Sequence, residues 1–303
     1  MRNAFINELV AAAEINDNIA LVVGDLGYGV VEPFATRFPK RFFNAGVAEQ
    51  NMMGLAAGLA SEGFHVFAYS IANFPTFRCA EQIRNDVDYH NLPVTVVAVG
   101  GGMAYGNLGY SHHAVQDYAL IRAMPNMLIA APGDPMEVSA CMRYLINNPQ
   151  PSYLRLGKAG EPCIHAEIPE VSPGKWLTIR EGEKGGVSYL TTGATLELVN
   201  QLLTQRPDLK FRSLNSMPLW SMRAKSVQTQ QIENFDSVIT VEDHLMDGGF
   251  GSWLLEATLV RPELLARIKV NALPAAPPMP SGCALKVQQK VVGVLSRTHS
   301  SVL

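Results

Sequence analysis

The chain has 303 residues, of which 48 % are hydrophobic and 17 % are charged, and its net charge is −3. This length favours two globular domains, and the nearly balanced charge gives no electrostatic reason to expect a nucleic-acid partner or an anionic membrane surface. No apolar run reaches the length of a membrane span, and the N-terminus has the pattern of an amphipathic helix, not of a signal peptide. Widely spaced cysteines without a CxxC pair indicate reduced thiols: Cys79, Cys141, Cys163 and Cys283. We therefore expect a soluble, cytoplasmic protein.

Residues 1–165 alternate between apolar strands and helical patterns. The predicted strands are Ile19–Val23, Val66–Ser70, Val94–Val99, Met127–Ala130 and Ser152–Leu156, and the predicted helices lie near 3–14, 47–61, 78–89, 116–123 and 135–146. Strands that are apolar on both faces and separated by helices predict a parallel sheet covered on both sides.

Residues 166–186 place glycine and proline among charged residues, which is typical of a linker. Residues 187–303 form a second alternating unit, with strands near 187–191, 210–214, 237–242 and 267–271, helices near 195–204, 226–233, 250–259 and 284–296, and a proline-rich loop at Ala272–Pro280. The predicted fold class is α/β, with two doubly wound domains of which the second is smaller. Ligands of open parallel sheets bind beyond the C-terminal ends of the strands, so the candidate functional loops are 24–31, 44–50, 70–77, 100–113 and 155–160.

The segment Asn44–Gly54 leads into a helix of small residues that carries one acid, Glu49, in its first turn. An acid at this position often does no more than oppose the positive end of the helix. The segment nevertheless resembles the Gly-(Ile/Val)-Ala-Glu-Gln-(Asn/His)-Met motif of transketolase-type enzymes, which depend on thiamine diphosphate. The resemblance implies a catalytic Glu49 that hydrogen-bonds the aminopyrimidine ring of the cofactor, and a first domain that binds this ring.

Phe74 and Phe77 follow the predicted strand Val66–Ser70 and precede Gln82-Ile83-Arg84. Two aromatic residues at this spacing are ordinarily core residues. In the same family, a Phe-x-x-aromatic pair before Gln-Ile-Arg holds the aminopyrimidine by stacking, which implies that Phe74 and Phe77 bind the cofactor. The family usually has a further aromatic residue just before Phe74, where this chain has Ile71 and Ala72, and Ile71 is the expected cofactor contact there.

The loop Gly100–His113 is rich in glycine but contains no GxGxxG or Walker pattern. Gly106–His113 resembles the family's Gly-x-x-Gly-x-(Thr/Ser)-His-Gln loop, which implies that His112 takes part in proton transfer or binds a substrate oxygen; the alternative is an exposed loop histidine. The family's acidic pair is replaced here by Asn107 and Leu108, and a second loop histidine by Gly100. Because Leu108 cannot hydrogen-bond a substrate hydroxyl, these replacements indicate an altered substrate.

Two arginines are candidates for binding the substrate's phosphate. Arg155 ends a predicted strand and matches the family's sugar-phosphate arginine, whose forked donors suit a phosphate group. Arg2 matches a second such arginine. The alternatives are a surface cation for Arg155 and a frayed terminus for Arg2. Asp243 and His244, in the second domain, resemble family residues with a packing role, so we expect no catalytic residue there.

The family binds the diphosphate through Mg²⁺ with a Gly-Asp-Gly…Asn motif, which supplies oxygen ligands. This chain has only Gly24-Asp25-Leu26-Gly27 and begins where the pyrimidine-binding domain begins. The resemblance therefore implies the C-terminal subunit of a split transketolase, without a metal ligand of its own. A separate N-terminal subunit would supply the diphosphate and Mg²⁺ site in an α2β2 assembly.

Several functions remain open from the sequence. The leading interpretation is transfer of a two-carbon ketol unit between sugars or sugar phosphates. A β-subunit of a 2-oxo acid dehydrogenase and a deoxyxylulose phosphate synthase share these motifs. A non-catalytic scaffold or regulatory paralogue is the alternative that is not an enzyme, and the donor and acceptor sugars stay unidentified.

Overall fold

The computed structural model describes residues 1–274 and builds them around two β-sheets. The first sheet has seven strands, numbered in chain order: β1 Ile19–Val23, β2 Phe42–Asn44, β3 His65–Ile71, β4 Val94–Val99, β5 Leu128–Ala130, β6 Ser152–Leu156 and β10 Leu219–Trp220. Their order across the sheet is β10-β5-β6-β4-β3-β1-β2. All neighbouring strands are parallel except β10 and β5, which are antiparallel.

Both faces of this sheet are buried. In β1, Ala20 and Val22 belong to one hydrophobic cluster, whereas Ile19, Leu21 and Val23 belong to another. Successive side chains of a strand point to opposite faces, so the two clusters lie on opposite sides of the sheet. The helices of this part are α1 Arg2–Ile15, α2 Glu32–Arg37, α3 Glu49–Ser61, α4 Asn73–Phe77, α5 Ala80–Gln82, α6 Asp117–Arg122 and α7 Pro135–Asn147, with a π-helical turn at Ile83–Asp88.

The second sheet has five strands: β7 Leu177–Glu181, β8 Val187–Thr191, β9 Phe211–Ser216, β11 Val238–Leu245 and β12 Ile268–Leu273. Their order is β12-β11-β8-β9-β7, and the edge strand β7 is antiparallel to β9 while the other pairs are parallel. The helices of this part are α8 Thr195–Gln205, α9 Gln228–Ile232, α10 Phe250–Ala257 and α11 Pro262–Leu265.

The predicted α/β class with two mainly parallel sheets is confirmed. Three strands, β2, β7 and β10, are absent from the predicted set. The segment 166–186 was predicted as a linker, but it contains the edge strand β7. This strand is half-exposed and mixes apolar with polar and charged residues, so its composition is close to that of a linker. The two-residue strand β10 lies in the second unit of the chain but pairs with β5 of the first sheet.

Other predictions differ in their bounds or lie outside the described residues. The helix predicted over 78–89 is divided into α5 and the π-helical turn. The helix predicted near 284–296, Cys283 and most of the proline-rich loop lie outside residues 1–274, and the limits of the two domains stay a prediction. Within the described part of the chain, no helix is long and apolar enough to cross a membrane.

Candidate active site

Three loops meet where β1, β2 and β3, which are neighbours in the sheet, reach their C-terminal ends. Asn44 ends β2 and connects two of them: its Oδ1 accepts from the backbone N–H groups of Asp25 at 3.1 Å and Gly46 at 2.9 Å, and its Nδ2 donates to Asp25 Oδ1 at 2.9 Å. Asp25 has a φ of +55°, an uncommon backbone conformation for a residue other than glycine. The hydrogen bonds from Asn44 and Tyr28 lower the pKa of Asp25. This arrangement fixes the turn from which α3 begins.

Glu49 is the first residue of α3, and its side chain is buried, with 4 % of it exposed. Its Oε2 accepts a hydrogen bond from Arg78 Nη1 at 2.9 Å. Its Oε1 is buried and has no hydrogen-bond partner among the described residues. Cys79 lies close by, and burial, reinforced by the charge of Glu49, raises the pKa of its thiol to about 12. Glu49 is therefore a buried acid with one oxygen open to a ligand.

Phe74 and His112 lie beside this acid, connected to it through Arg78. The Cζ atom of Arg78 is 4.0 Å from the centroid of the Phe74 ring. The rings of Phe74 and His112 meet edge to face with their centroids 5.1 Å apart. The Asn73 side chain donates to the carbonyl of Ser111 at 2.9 Å, which attaches the histidine loop to α4. The structure thus brings together three residues that the sequence predicts as site residues from three separate segments.

The other predicted cofactor and loop residues surround this group, and none of them is hydrogen-bonded to Glu49 within residues 1–274. Ile71 ends β3 and is half-buried, while Phe77 ends α4 with 44 % of it exposed. Leu108 is 49 % exposed in a short helical turn, Gly106–Leu108. Arg2 lies next to Tyr69: burial raises the pKa of Tyr69 to about 12, and the charge and hydrogen bond of Arg2 oppose that rise. Arg2 is therefore held by contacts and does not fray.

Arg155 lies on β6 as predicted, but its guanidinium is only 3 % exposed and fully engaged. Its Nε donates to Asp117 at 2.7 Å, its Nη1 to Asp243 at 2.5 Å, and its Nη2 to the carbonyl of Ala114 at 2.9 Å. Burial disfavours the charge, yet Asp117 and Asp243 hold the pKa of Arg155 well above its ordinary value. A phosphate group could reach these donors only by displacing a carboxylate. The sequence predicted Arg155 as a phosphate contact, but it did not predict that carboxylates of the chain already bind its donors.

Arg78 and the ion pair between Arg155 and Asp243 were not among the features predicted from the sequence. Arg78 follows Phe74 by four residues, a spacing that places both side chains on one side of a helical turn and could have indicated the contact. Asp243, which we expected only to pack, reaches Arg155 from the second sheet. Its neighbour His244 does pack, with its ring stacked on Tyr118 at a centroid distance of 5.2 Å.

Comparisons with known proteins agree with this geometry. The family described as transketolase, pyrimidine binding domain, matches residues 1–160. A putative transketolase C-terminal section from Methanocaldococcus jannaschii is 36 % identical over 260 residues, which cover 84 % of this chain and 81 % of that protein. A subunit of an apulose-4-phosphate transketolase from Phocaeicola vulgatus is 30 % identical over 86 % of this chain and 84 % of its own length.

Among solved structures, a chain described as a split gene transketolase, inactive beta4 tetramer, superposes with a TM-score of 0.83 at 27 % identity and covers 99 % of this chain and 97 % of its own. A transketolase from Leishmania mexicana shares the fold, with a TM-score of 0.78 at 19 % identity over 99 % of this chain and 45 % of that one. The resemblance implied by the segments around Glu49, Phe74 and His112 is confirmed. This chain belongs to the transketolase family of transferases and is similar to its separately encoded C-terminal sections.

Proposed function

We propose that this chain is the pyrimidine-binding subunit of a two-chain transketolase, which transfers a two-carbon ketol unit between sugar phosphates. The observation that carries this proposal is the buried carboxylate of Glu49, whose Oε1 has no partner within residues 1–274. Arg78 connects this carboxylate to the ring face of Phe74, which His112 flanks. An acid, an aromatic face and an imidazole are the groups that the family resemblance assigns to this chemistry.

The residues present fit the aminopyrimidine half of thiamine diphosphate. An unpaired buried polar atom costs about 1–3 kcal/mol, so a ring nitrogen at Glu49 Oε1 would remove an existing penalty. Phe74 offers a ring face to a flat heterocycle, and we assign Ile71 and Phe77 to the same cofactor-binding group. When bound, thiamine diphosphate supplies the carbon nucleophile that carries the ketol unit.

His112 is the residue that we assign to the substrate side of the site. Its Nδ1 lies 3.0 Å from Ser111 Oγ, which orients the ring and leaves Nε2 to exchange a proton with a substrate oxygen. Leu108, in the preceding turn, offers no hydrogen bond to a substrate hydroxyl. We therefore expect substrate selectivity to come from residues other than the one at position 108, where the family has an acid and this chain has leucine.

The substrate class that we propose is a phosphorylated ketose. The names of the relatives from Phocaeicola vulgatus and Actinobacillus succinogenes specify apulose 4-phosphate, and two cations of this chain flank Tyr105 near the site. Lys158 Nζ lies 5.0 Å from the Tyr105 ring centroid, and the charge of Arg2 opposes the rise that burial causes in the pKa of Tyr105. Arg2 and Lys158 are better placed than the buried Arg155 to meet a phosphate group.

We propose that a second chain supplies the diphosphate and Mg²⁺ site in an α2β2 assembly in the cytoplasm. The names of the relatives, which describe one as a C-terminal section and another as a subunit, support a separately encoded partner. The surface around the site supports it too, because four large apolar side chains are 44–74 % exposed there: Val47, Phe77, Leu108 and Tyr110. Exposed apolar groups that cluster beside a functional site are typical of a protein interface.

The experiment that tests this function uses the chain co-expressed with the diphosphate-binding transketolase section encoded in the same genome. Glu49→Gln keeps the size of the side chain but removes its acid function, so ketol transfer should fall by roughly a hundredfold or more. The midpoint of thermal unfolding should stay close to that of the wild type. Glu14→Gln, at a surface pair with Arg37, is the matched control and should leave turnover unchanged. Full activity of Glu49→Gln would contradict the proposal.

A further inference from the structure

The guanidinium of Arg78 lies between the two groups to which we assign the aminopyrimidine. Its Nη1 donates to Glu49 Oε2 at 2.9 Å, and its Cζ lies 4.0 Å from the centroid of the Phe74 ring. An acid thus holds one edge of the guanidinium while an aromatic ring covers one face. Arg78 thus contacts the carboxyl group and the aromatic ring that we assign to the cofactor, although it binds Oε2 and leaves Oε1 without a partner among the described residues.

A guanidinium and an aminopyrimidine share the features that these two partners recognise. Both are flat and delocalised, both present N–H donors along one edge, and both stack on aromatic faces. Since the guanidinium binds Glu49 and covers Phe74 at once, it lies over the part of the ring that is next to the acid. A pyrimidine that reaches Glu49 Oε1 while it stacks on that part of the ring would overlap the guanidinium. Entry of the pyrimidine therefore requires Arg78 to move.

We propose that Arg78 is an internal occupant of the aminopyrimidine site, which closes the site in the free chain and leaves it when the cofactor enters. This inference rests on the proposed function, because it takes the pyrimidine half of thiamine diphosphate as the competitor. Arg78 also pairs the buried carboxylate of Glu49 while no ligand is present.

The exposure of the two side chains makes this exchange feasible. The Arg78 side chain is 48 % exposed, whereas that of Glu49 is 4 % exposed. Arg78 follows the last residue of α4, and its long unbranched side chain can turn outward into water while the helix stays in place. Partly exposed ion pairs and cation–π contacts are weak, so a ligand with better contacts can displace the guanidinium. Glu49, in contrast, stays fixed at the base of the site.

The test is a ligand-observed NMR titration of the full chain with 4-amino-5-hydroxymethyl-2-methylpyrimidine, the pyrimidine half of thiamine, at millimolar concentration. Arg78→Ala removes the competitor, and we expect it to bind the pyrimidine roughly tenfold more tightly than the wild type. Arg84→Ala is the matched control, because exposed Arg84 lies in the neighbouring π-helical turn and its Nη1 donates to Asn85; the affinity of this variant should equal that of the wild type. Equal or weaker binding by Arg78→Ala would overturn the inference.

A second variant separates this inference from the proposed function. Adding Glu49→Ala to Arg78→Ala should abolish the gain in affinity, because the acid is the anchor of the site. If the wild type and Arg78→Ala bind equally and Glu49→Ala does not bind, the role of Arg78 is wrong while the site stands. If neither the wild type nor Arg78→Ala binds the pyrimidine, the assignment of the site falls, and the inference falls with it. A crystal structure of the chain with the pyrimidine should show the Arg78 side chain off the Phe74 ring; retention of the 4.0 Å contact would also overturn the inference.

Discussion

At Arg155, a single guanidinium on the first sheet joins a carboxylate from a helix of the first unit to a carboxylate from a strand of the second sheet. Asp117 comes from the helix α6 and is fully buried, whereas Asp243 comes from β11 and is about one quarter exposed. Burying charges is costly, and a pair of this kind is sustained only when every charge finds its partners. The main effect of this network is therefore to hold the two domains in one relative position.

Removing Arg155 should destabilise the protein far more than removing a surface cation. Arg155→Ala leaves Asp117 buried without its main partner, so we expect the free energy of unfolding to fall by about 3–5 kcal/mol. Arg143→Ala is the matched control, because Arg143 forms a half-exposed pair with Glu8, and it should cost at most about 1 kcal/mol. Urea unfolding of the two variants gives the comparison. A loss for Arg155→Ala no larger than that of the control would contradict the structural role.

The sequence predicted which short segments lie together in the candidate site, but not which residues pair over long distances. The residues Glu49, Phe74 and His112 each lie in a short recognisable motif, so motif and strand pattern together place them correctly at one edge of the sheet. Arg155 also lies on the predicted strand, but its partners are 38 and 88 residues away along the chain. Ion pairs between residues so far apart depend on how the two domains pack, and a local sequence pattern does not predict that packing.

At the scale of elements, buried runs were predictable and edge segments were not. The strands β1, β4, β6 and β8 lie at the predicted residues because every position in them is buried, which requires continuous apolar or small side chains. The strand β7 is short and half-exposed within a segment rich in glycine, proline and charged residues, and β10 has only two residues, so neither has a continuous apolar run to detect. Buried strands were therefore predicted correctly from their apolar sequence, whereas the strands that were not predicted all lie at sheet edges.

The N-terminus of α7 is an element whose stability depends on pH. Asp134 caps the helix by accepting from Glu137 N at 2.8 Å, and His165 Nδ1 lies 3.1 Å from the Asp134 carboxylate. Burial opposes ionisation of Asp134, but the hydrogen bonds from His165 and the backbone lower its pKa to about 2. Burial raises the pKa of Glu137 to about 7. Burial opposes the charge of His165, yet Asp134 and Glu137 raise its pKa above the ordinary value.

These shifts predict stability that falls as the pH rises from about 4.5 through about 7, where native Glu137 keeps a proton that the unfolded chain has lost. The stabilisation from His165 is complete below its ordinary pKa and is lost as the pH rises through the higher native value. The contribution of Asp134 is present above its ordinary pKa and is lost only as the pH falls through about 2. Glu137→Gln should flatten the urea-unfolding profile between pH 4.5 and 7, whereas Glu14→Gln at the surface should leave the slope unchanged. An unchanged slope in Glu137→Gln would contradict the assignment.

At the scale of the whole molecule, the two sheets are joined by a shared interface and the candidate site lies on one edge of the first. The pairing of β10 with β5 and the contact of Trp220 with Trp253, at a centroid distance of 5.4 Å, connect the two units. The segments that carry Glu49, Phe74 and His112 also carry four exposed apolar side chains: Val47, Phe77, Leu108 and Tyr110. These exposed side chains are where we propose that the partner chain binds and completes the site.

We propose that this chain provides one half of a cofactor site. The test is a calorimetric titration of thiamine diphosphate with Mg²⁺, first with this chain alone and then with the chain mixed with the diphosphate-binding section from the same genome. We expect strong binding only in the mixture, and loss of that binding in Glu49→Ala. Strong binding to the chain alone, or no binding in the mixture, would contradict it.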